Sequence, residues 1–412
     1  MPAWYESRYT GLFSTLVRAP QRAHDPSVHV TAAQTPPWHA SEPELGGSGA
    51  GWTKMDADLA CVGESIERLL ARALPRDGFV ESSWNTWPLD EPAIAPDRWT
   101  LFHDEQYASE GFPFVPLAAD TTFRWVCCRA ALTGEPVWVP EEMVYILPRP
   151  EERQHHAPGF STGLTCGRSD QRVLFRGVQE VIERDALVGF WWRNYSAEMW
   201  PAEQVRALLG NSVWDRIDRP NLEYRFYRLH SPYSEHVTLV SVSGIDQEGW
   251  VFSVGSACRE SLRASWEKSL LEAIQGRHCV RRLMAQWHDE GQPELAVPTT
   301  FFDHALYYAI HPERLAETAL HDAIEPHGEV DVHRTEDLSD IANRLGDDHP
   351  ILFRNLTPPG IAPDPSRWLV LRVVIPGLQP LHGDHRLPFL GGPLWEPRAW
   401  ADWQTIPPHP FA

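Results

Sequence analysis

No two of the six cysteines (Cys61, Cys127, Cys128, Cys166, Cys258, Cys279) stand as Cys-x-x-Cys. That spacing indicates neither a zinc ribbon nor a disulfide framework. None has an identifiable histidine partner for nucleophilic chemistry, so all six read as packing residues. Cys127 and Cys128 are adjacent in a predicted strand and face opposite sides of it. The chain also lacks an apolar run of membrane-spanning length, and its first ten residues lack an apolar signal core, so the cytoplasm is the expected location. Clustered basic residues are missing too. With 36 Lys and Arg against 56 Asp and Glu, the net charge is −20, which argues against nucleic acid as the main partner and against anionic membrane. There is no Walker A loop and no kinase-like Gly-rich loop.

What is present is a rigid, aromatic-rich composition. The 412 residues, 42% hydrophobic, can bury one large core or two moderate ones, and 19 Trp and 37 Pro imply ordered loops without low complexity. The chain is organised around residues 161–192, STGLTCGRSDQRVLFRGVQEVIERDALVGFWW. A Ser-Thr-Gly turn leads through Gly167 to a helix whose predicted cap is Ser169 or Asp170. On that helix Glu180, Glu183 and Arg184 stand at i, i+3 and i+4 and share one face. Alone, such a run is most often a solvated stripe, with a Glu180–Arg184 pair contributing about 0.2–0.5 kcal/mol.

Two features point away from a solvated stripe. Val178, Val181, Ile182, Leu187, Val188, Phe190, Trp191 and Trp192 make the helix apolar nearly all round. That predicts burial, and buried charge needs a partner. The pattern also recurs: GESIER carries Glu64, Glu67 and Arg68, and LEAIQ carries Glu272 and Gln275 at the same i, i+3 offset. Carboxylates converging from several helices repel unless cations lie between them. Hard oxygen ligands favour Mg2+, commonly shared with substrate phosphates, and Arg forks suit phosphate oxygens. The residues therefore predict a Mg-nucleotide site built on helices.

Taken together, STGLTCG, EVIERDA, the upstream GESIER and the downstream EAIQGR resemble the YcaO superfamily. The resemblance extends to PGLQPLHGDHRLPFLGG (Pro376 to Gly392) and the proline-rich end PPHPFA, and covers roughly Gly46 to the C-terminus. It implies an ATP-grasping fold and ATP-dependent activation of a peptide backbone amide. The sequence departs from the family at Ala60, where a Ser is usual four residues before Glu64. A hydroxyl contact is therefore lost or supplied from elsewhere.

Other stretches are read from local pattern. Gly46 to Trp52, GGSGAGW, reads as a flexible connector. Alternatively, just before a helix capped at Asp56, its N–H groups approach a phosphate, with Lys54 as a contact. The first motif helix is predicted over 57–73 and the third over 262–288. A hairpin joins 125–131 to 137–140, and strands fall at 222–229, 237–242 and 250–254. His155 and His156 read as exposed loop residues, and 293–356 as peripheral. Trp368 to Pro376 is the clearest buried strand. His382, Asp384 and His385 follow it, with structure favoured over acid–base work.

The expected fold class is α+β, a YcaO-like fold of two pseudo-repeated halves of mixed sheet and helix enclosing a nucleotide site. Residues 1–45 form an N-terminal segment, 46–395 the ATP-binding catalytic domain, and 396–412 a proline-rich tail. The resemblance implies cyclodehydration of Cys, Ser or Thr in a ribosomally made precursor peptide. Thioamide, macroamidine or hydrolytic chemistry, or an inert binding scaffold, are the alternatives. Glu64, Glu67, Glu180, Glu183 and Glu272 would hold Mg2+. Arg68, Arg184, Gln275, Ser161 and Gly163, with Lys54, would contact ATP. Pro408 and Pro410 would direct the carboxylate of Ala412 towards the reaction. The implied partners are the precursor peptide and a ThiF-like leader-binding protein, since no separate winged-helix-like module is evident. A homodimer is compatible with the sequence.

Overall fold

The structure, a computed structural model, describes residues 15–35, 45–146, 154–168, 172–327, 330–358 and 368–411. Strands β1 (Thr15–Arg18), β2 (His29–Thr35) and β3 (Leu45–Gly51) precede helix α1 (Lys54–Leu70). Then come β4 (Phe79–Ser82), the short α2 (Asp104–Tyr107), the hairpin β5 (Phe123–Ala130) and β6 (Pro136–Pro140), and β7 (Leu164–Arg168) leading into α3 (Val173–Trp191). A second group follows: β8 (Ala197–Trp200), α4 (Ala202–Leu209), α5 (Asn211–Ile217), β9 (Leu222–Leu229), β10 (Val237–Asp246), β11 (Gly249–Cys258) and the long α6 (Leu262–Asp289). The chain closes with α7 (Phe301–Ile310), α8 (Leu338–Leu345), β12 (Leu352–Asn355) and β13 (Trp368–Val374). The candidate caps Ser169 and Asp170 lie outside the described residues.

Among the described residues three sheets result: β1-β2-β3, β11-β10-β9-β8, and β4-β5-β12-β13-β7 with β6 on β5. The strand ladders are all antiparallel. Antiparallel sheets with helices packed against them are the arrangement of the α+β class, and the mixing expected within a sheet is limited, among the described residues, to two isolated parallel bridges. The pseudo-repeat is visible in β2-β3-α1 and β10-β11-α6, each a hairpin whose second strand lies against the helix that follows.

Glycine makes that close approach possible. Gly47, Gly49 and Gly51 alternate along β3 and face α1. Added Cβ atoms there would stand 2.1 Å from Ser65 Oγ, 2.4 Å from the Cys61 nitrogen and 2.5 Å from Asp56 Cβ. Gly255 of β11 repeats this against α6, with its added Cβ 2.2 Å from the Ala273 nitrogen. GGSGAG is thus a strand, neither a flexible connector nor a phosphate loop. The cap of α1 is Thr53 rather than Asp56. Its hydroxyl accepts from the Asp56 N–H and the Asp56 carboxylate accepts from the Thr53 N–H, each at 3.2 Å, a reciprocal capping box.

The largest apolar cluster surrounds α3, which is buried nearly all round, as its composition predicts. Two expectations fail here. Segment 293–356 is not wholly peripheral: Tyr307 and Tyr308 of α7 and Ile351 belong to that cluster, since an apolar face is hidden among the segment's acidic and histidine residues. His155 and His156 are buried, not exposed. Glu142 accepts from the His156 backbone N–H at 2.9 Å, and the His156 ring meets the Val115 and Pro116 carbonyls at 3.1 and 3.2 Å, so these His156 groups retain partners when dehydrated. The six cysteines are free, and burial pushes the thiols of Cys61, Cys128 and Cys258 up to about 12. No described helix is long and apolar enough to cross a membrane.

Candidate active site

Helices α1 and α3 both rest on β7 and β13, α3 and α6 both contact β11, and α6 also leans on β3. This three-way arrangement turns Glu64, Glu67 and Arg68 of α1, Glu180, Glu183 and Arg184 of α3, and Glu272 and Gln275 of α6 towards one space. The electrostatics register the convergence. Burial and then the charges of Glu180 and Glu64 push the Glu67 carboxyl well above its usual range. Burial, with Glu183 adding to it, raises Glu180 to about 7 against the pull of Arg184, Arg372 and Arg259. Arg184 feels Glu183, Glu180, Glu272 and Glu64, which hold its charge in place against the cost of burial. Burial also works against the Glu272 charge, but Lys268, 3.0 Å away, together with Arg259 and Arg184, keeps that carboxyl low.

The individual bonds divide the cluster in two. Glu64 is anchored: Ser48 N–H donates to it at 2.6 Å and Arg68 at 2.5 Å, while Arg68 also donates to the Gly46 carbonyl at 2.5 Å. Gln275 reaches across from α6 and donates to Ser48 Oγ at 2.7 Å. Glu183 is the most deeply set, 4% exposed, and accepts from Ser256 Oγ at 2.7 Å and the Cys258 N–H at 3.1 Å, which ties α3 to β11. By contrast, among the described residues the Glu180 carboxylate and the Arg184 guanidinium have no hydrogen bond or ion pair. Both are only partly exposed, so each is a partly buried ionisable group without a hydrogen-bonding protein partner among the described residues.

That pattern fits the predicted ligands. Carboxylate oxygens whose protons a divalent cation would displace suit Mg2+, and an unengaged Arg fork beside them suits phosphate oxygens.

Some predicted residues are placed elsewhere. Lys54 is exposed in the first turn of α1, ten residues and about 15 Å of helix rise from Glu64, and the fold does not bring it to the cluster. Gly163 has φ +84° and donates no side chain. Its carbonyl accepts from Val373 N–H at 2.7 Å and an added Cβ would lie 2.1 Å from the Val373 carbonyl, so it docks the turn on β13. Ser161 is exposed, and its carbonyl accepts from Leu164 N–H at 2.9 Å.

Pro408 and Pro410 are buried in an ordered tail. Trp191 Nε1 donates to the Pro407 carbonyl at 2.7 Å, Tyr308 Oη to the Pro408 carbonyl at 2.5 Å, and the Phe411 ring meets Trp191 edge-on at 5.4 Å. These contacts lie about seven residues, roughly 10 Å of rise, beyond Arg184 along α3. Ala412 lies outside the described residues.

Four contributors escaped the sequence reading. Ser48 bridges Glu64 and Gln275 and supplies a hydroxyl in a site where Ala60 offers none. Arg372, fully buried on β13 and lowered to about 10 by burial, donates to the Met143 and Phe160 carbonyls at 3.1 and 3.0 Å and faces Glu180. An Arg inside WLVLRVVIP was the available signal. Arg259, at the end of β11, acts on Glu180 and Glu272. Asp185, raised to about 6 by burial, accepts from Gln379 N–H at 2.9 Å and from Tyr195 Oη at 3.2 Å, fixing the loop after β13 to α3.

A family model described as YcaO cyclodehydratase, ATP- and Mg2+-binding, matches residues 48–379. Similar solved structures include YcaO from Methanopyrus kandleri bound with AMPPCP and Mg2+, 18% identical with TM-score 0.53, over 89% of this chain and 85% of that one. The E. coli microcin synthetase McbBCD complex contains a chain 14% identical with TM-score 0.67, over 99% of each. A heterocyclase in complex with substrate and cofactor is 16% identical with TM-score 0.66 over 98% of this chain, which spans only 55% of that longer one. At these identities the likeness concerns the fold. No curated protein matches.

Proposed function

Because this chain belongs to the YcaO family, we propose that it is an ATP- and Mg2+-dependent cyclodehydratase that converts Cys, Ser or Thr of a ribosomally made precursor peptide into thiazoline or oxazoline. The observation that carries the reading is the partly buried Glu180 and Arg184, which make no hydrogen bond or ion pair among the described residues while Arg184 feels Glu183, Glu272 and Glu64 and Glu67 feels Glu180. In the proposed reaction the side-chain sulfur or oxygen adds to the preceding backbone carbonyl, losing its proton. The oxyanion takes the γ-phosphoryl group from ATP, releasing ADP. Departure of phosphate with the former carbonyl oxygen, and loss of the amide proton, leaves the C=N bond of the ring.

Mg2+, when bound, neutralises charge on the triphosphate. Glu67 and Glu180 are the residues best disposed to hold it, since burial and neighbouring carboxylates disfavour their negative charge and a cation between them would offset that. Glu64 and Glu183 are pinned by Ser48, Arg68, Ser256 and Cys258 and set the cleft walls. Arg184 is the proposed phosphate contact, with Arg259 beside it. Electrostatic stabilisation, with no covalent protein nucleophile, is what such a transfer needs.

A partner protein for leader capture accords with the similar chains. The one matched over its full length belongs to a complex, and the longer heterocyclase is matched over about half. Ala60 favours a second reading, a scaffold that binds peptide without turnover. Incubation with ATP, Mg2+, the partner and a Cys/Ser/Thr-rich peptide separates the two: loss of one water per ring with matching ADP supports the enzyme, and ATP binding with unchanged peptide mass rejects it.

A further inference from the structure

A second group of titratable side chains lies where α7, the loop after β13 and the tail meet. His304 of α7, His382 of the loop and His409 of the tail are 0, 2 and 2% exposed. One ring nitrogen from each lies within 4.8 Å of the others. The hydrogen bonds fix which nitrogens are bare. His304 Nδ1 faces the His409 carbonyl at 2.7 Å, and His409 Nε2 faces the His382 carbonyl at 2.8 Å. A carbonyl only accepts, so those two nitrogens carry the protons. The opposite atoms, His304 Nε2 and His409 Nδ1, are left as lone pairs with no hydrogen-bond partner, and neither nitrogen of His382 has one. Burial holds all three rings neutral, with His304 lowered to about 4 and the other two further.

Unpartnered buried nitrogens are uncommon, and here they converge. An imidazole that donates one N–H to a backbone carbonyl and turns its lone pair inward has the outer-shell arrangement of a metal ligand. The geometry points to a transition-metal site, Zn2+ by preference, held by His304, His382 and His409 and separate from the Mg2+ carboxylates. Three neutral nitrogens with no carboxylate suit a borderline ion and not a hard one. His304 and His409 are stacked 3.9 Å apart with planes 7° from parallel, so an ion draws one ring out of the stack as it binds. His385, its Nδ1 also unpartnered and its ring 6.1 Å from His304, is the nearest further imidazole for the fourth position. Such an ion joins three distant segments and fixes the tail against α7.

The test uses full-length protein stripped with a chelator, then held in excess Mg2+ so that the carboxylate site does not compete. Titration with Co2+ should give visible d–d bands saturating at one equivalent and displaced by Zn2+. In folded His382→Asn and His409→Gln variants the Kd should rise by at least about tenfold. Because a variant here can lose its fold, Zn K-edge absorption of the wild-type Zn2+ form counts the ligands independently, and three or four imidazoles are expected. Absence of a stoichiometric band, a band unchanged in both variants, or an oxygen-dominated shell overturns the site. None of these readouts depends on ATP turnover or peptide chemistry, so this proposal and the cyclodehydratase reading fail separately.

Discussion

At the scale of single residues, Glu180 and Glu67 pay for their position in raised affinity for protons. A carboxyl raised to about 7 is disfavoured as the anion in the folded protein, so its contribution to stability is fully present below about 4.5 and is lost as pH rises through about 7. Buried histidines titrate in the opposite sense below about 6.5, so the informative quantity is the difference from Glu180→Gln. Without metal, Glu180→Gln should melt higher than wild type at pH 8, by the order of 1–3 kcal/mol, and the gap should close towards pH 5. Calorimetry should show wild-type Mg2+ binding releasing protons and weakening as pH falls below 7. An affinity flat between pH 6 and 8 would dissociate Glu180 from the metal. Glu183→Gln is expected to abolish ATP turnover for a partly different reason: it removes charge from the cluster and weakens the ties to Ser256 and Cys258. Wild-type turnover in that variant would remove Glu183 from the site.

At the scale of elements, the site helices and the strands β10, β11 and β13 were legible, and β3 was not. Apolar residues all round α3, and the recurrence of Glu-x-Ile-Glu, follow from helical spacing, so three site helices can be read directly. β3 was hidden because alternating Gly looks like a linker until α1 is seen against it. Ser48 was invisible for the same reason, and Arg372 read only as part of an apolar strand. His155, His156 and α7 were misjudged because burial of polar side chains depends on partners distant in sequence. Gly49→Ala tests the β3–α1 contact. Its Cβ meets backbone 2.4 Å away, and separation should cost about 1–3 kcal/mol and weaken ATP binding, since Ser48 moves away from Glu64. Unchanged melting and unchanged ATP binding would contradict the close approach. Deleting 408–412 removes Phe411 and the Pro408 carbonyl from their partners. It should lower the melting temperature and suppress ring formation, yet leave the Mg-ATP-induced melting shift in place. Normal cyclisation by the truncated protein would deny the tail a part.

For the whole molecule, helices α1, α3 and α6 bring Glu64, Glu67, Glu180, Glu183 and Glu272 together with Arg68 and Arg184, within a chain of net charge −20. Ligand that binds only the folded state stabilises it by mass action, about 2.7 kcal/mol at a concentration 100 times Kd. Mg-ATP should accordingly raise the melting temperature, and ATP with chelator much less. The most direct test of the central claim is mass spectrometry of a Cys/Ser/Thr-rich precursor peptide incubated with the protein, its leader-binding partner, ATP and Mg2+, with ADP measured in parallel. The account predicts peptide lighter by one water per ring, in step with ADP, and neither product from Glu180→Gln. A peptide of unchanged mass under conditions where wild-type protein binds Mg-ATP would contradict it.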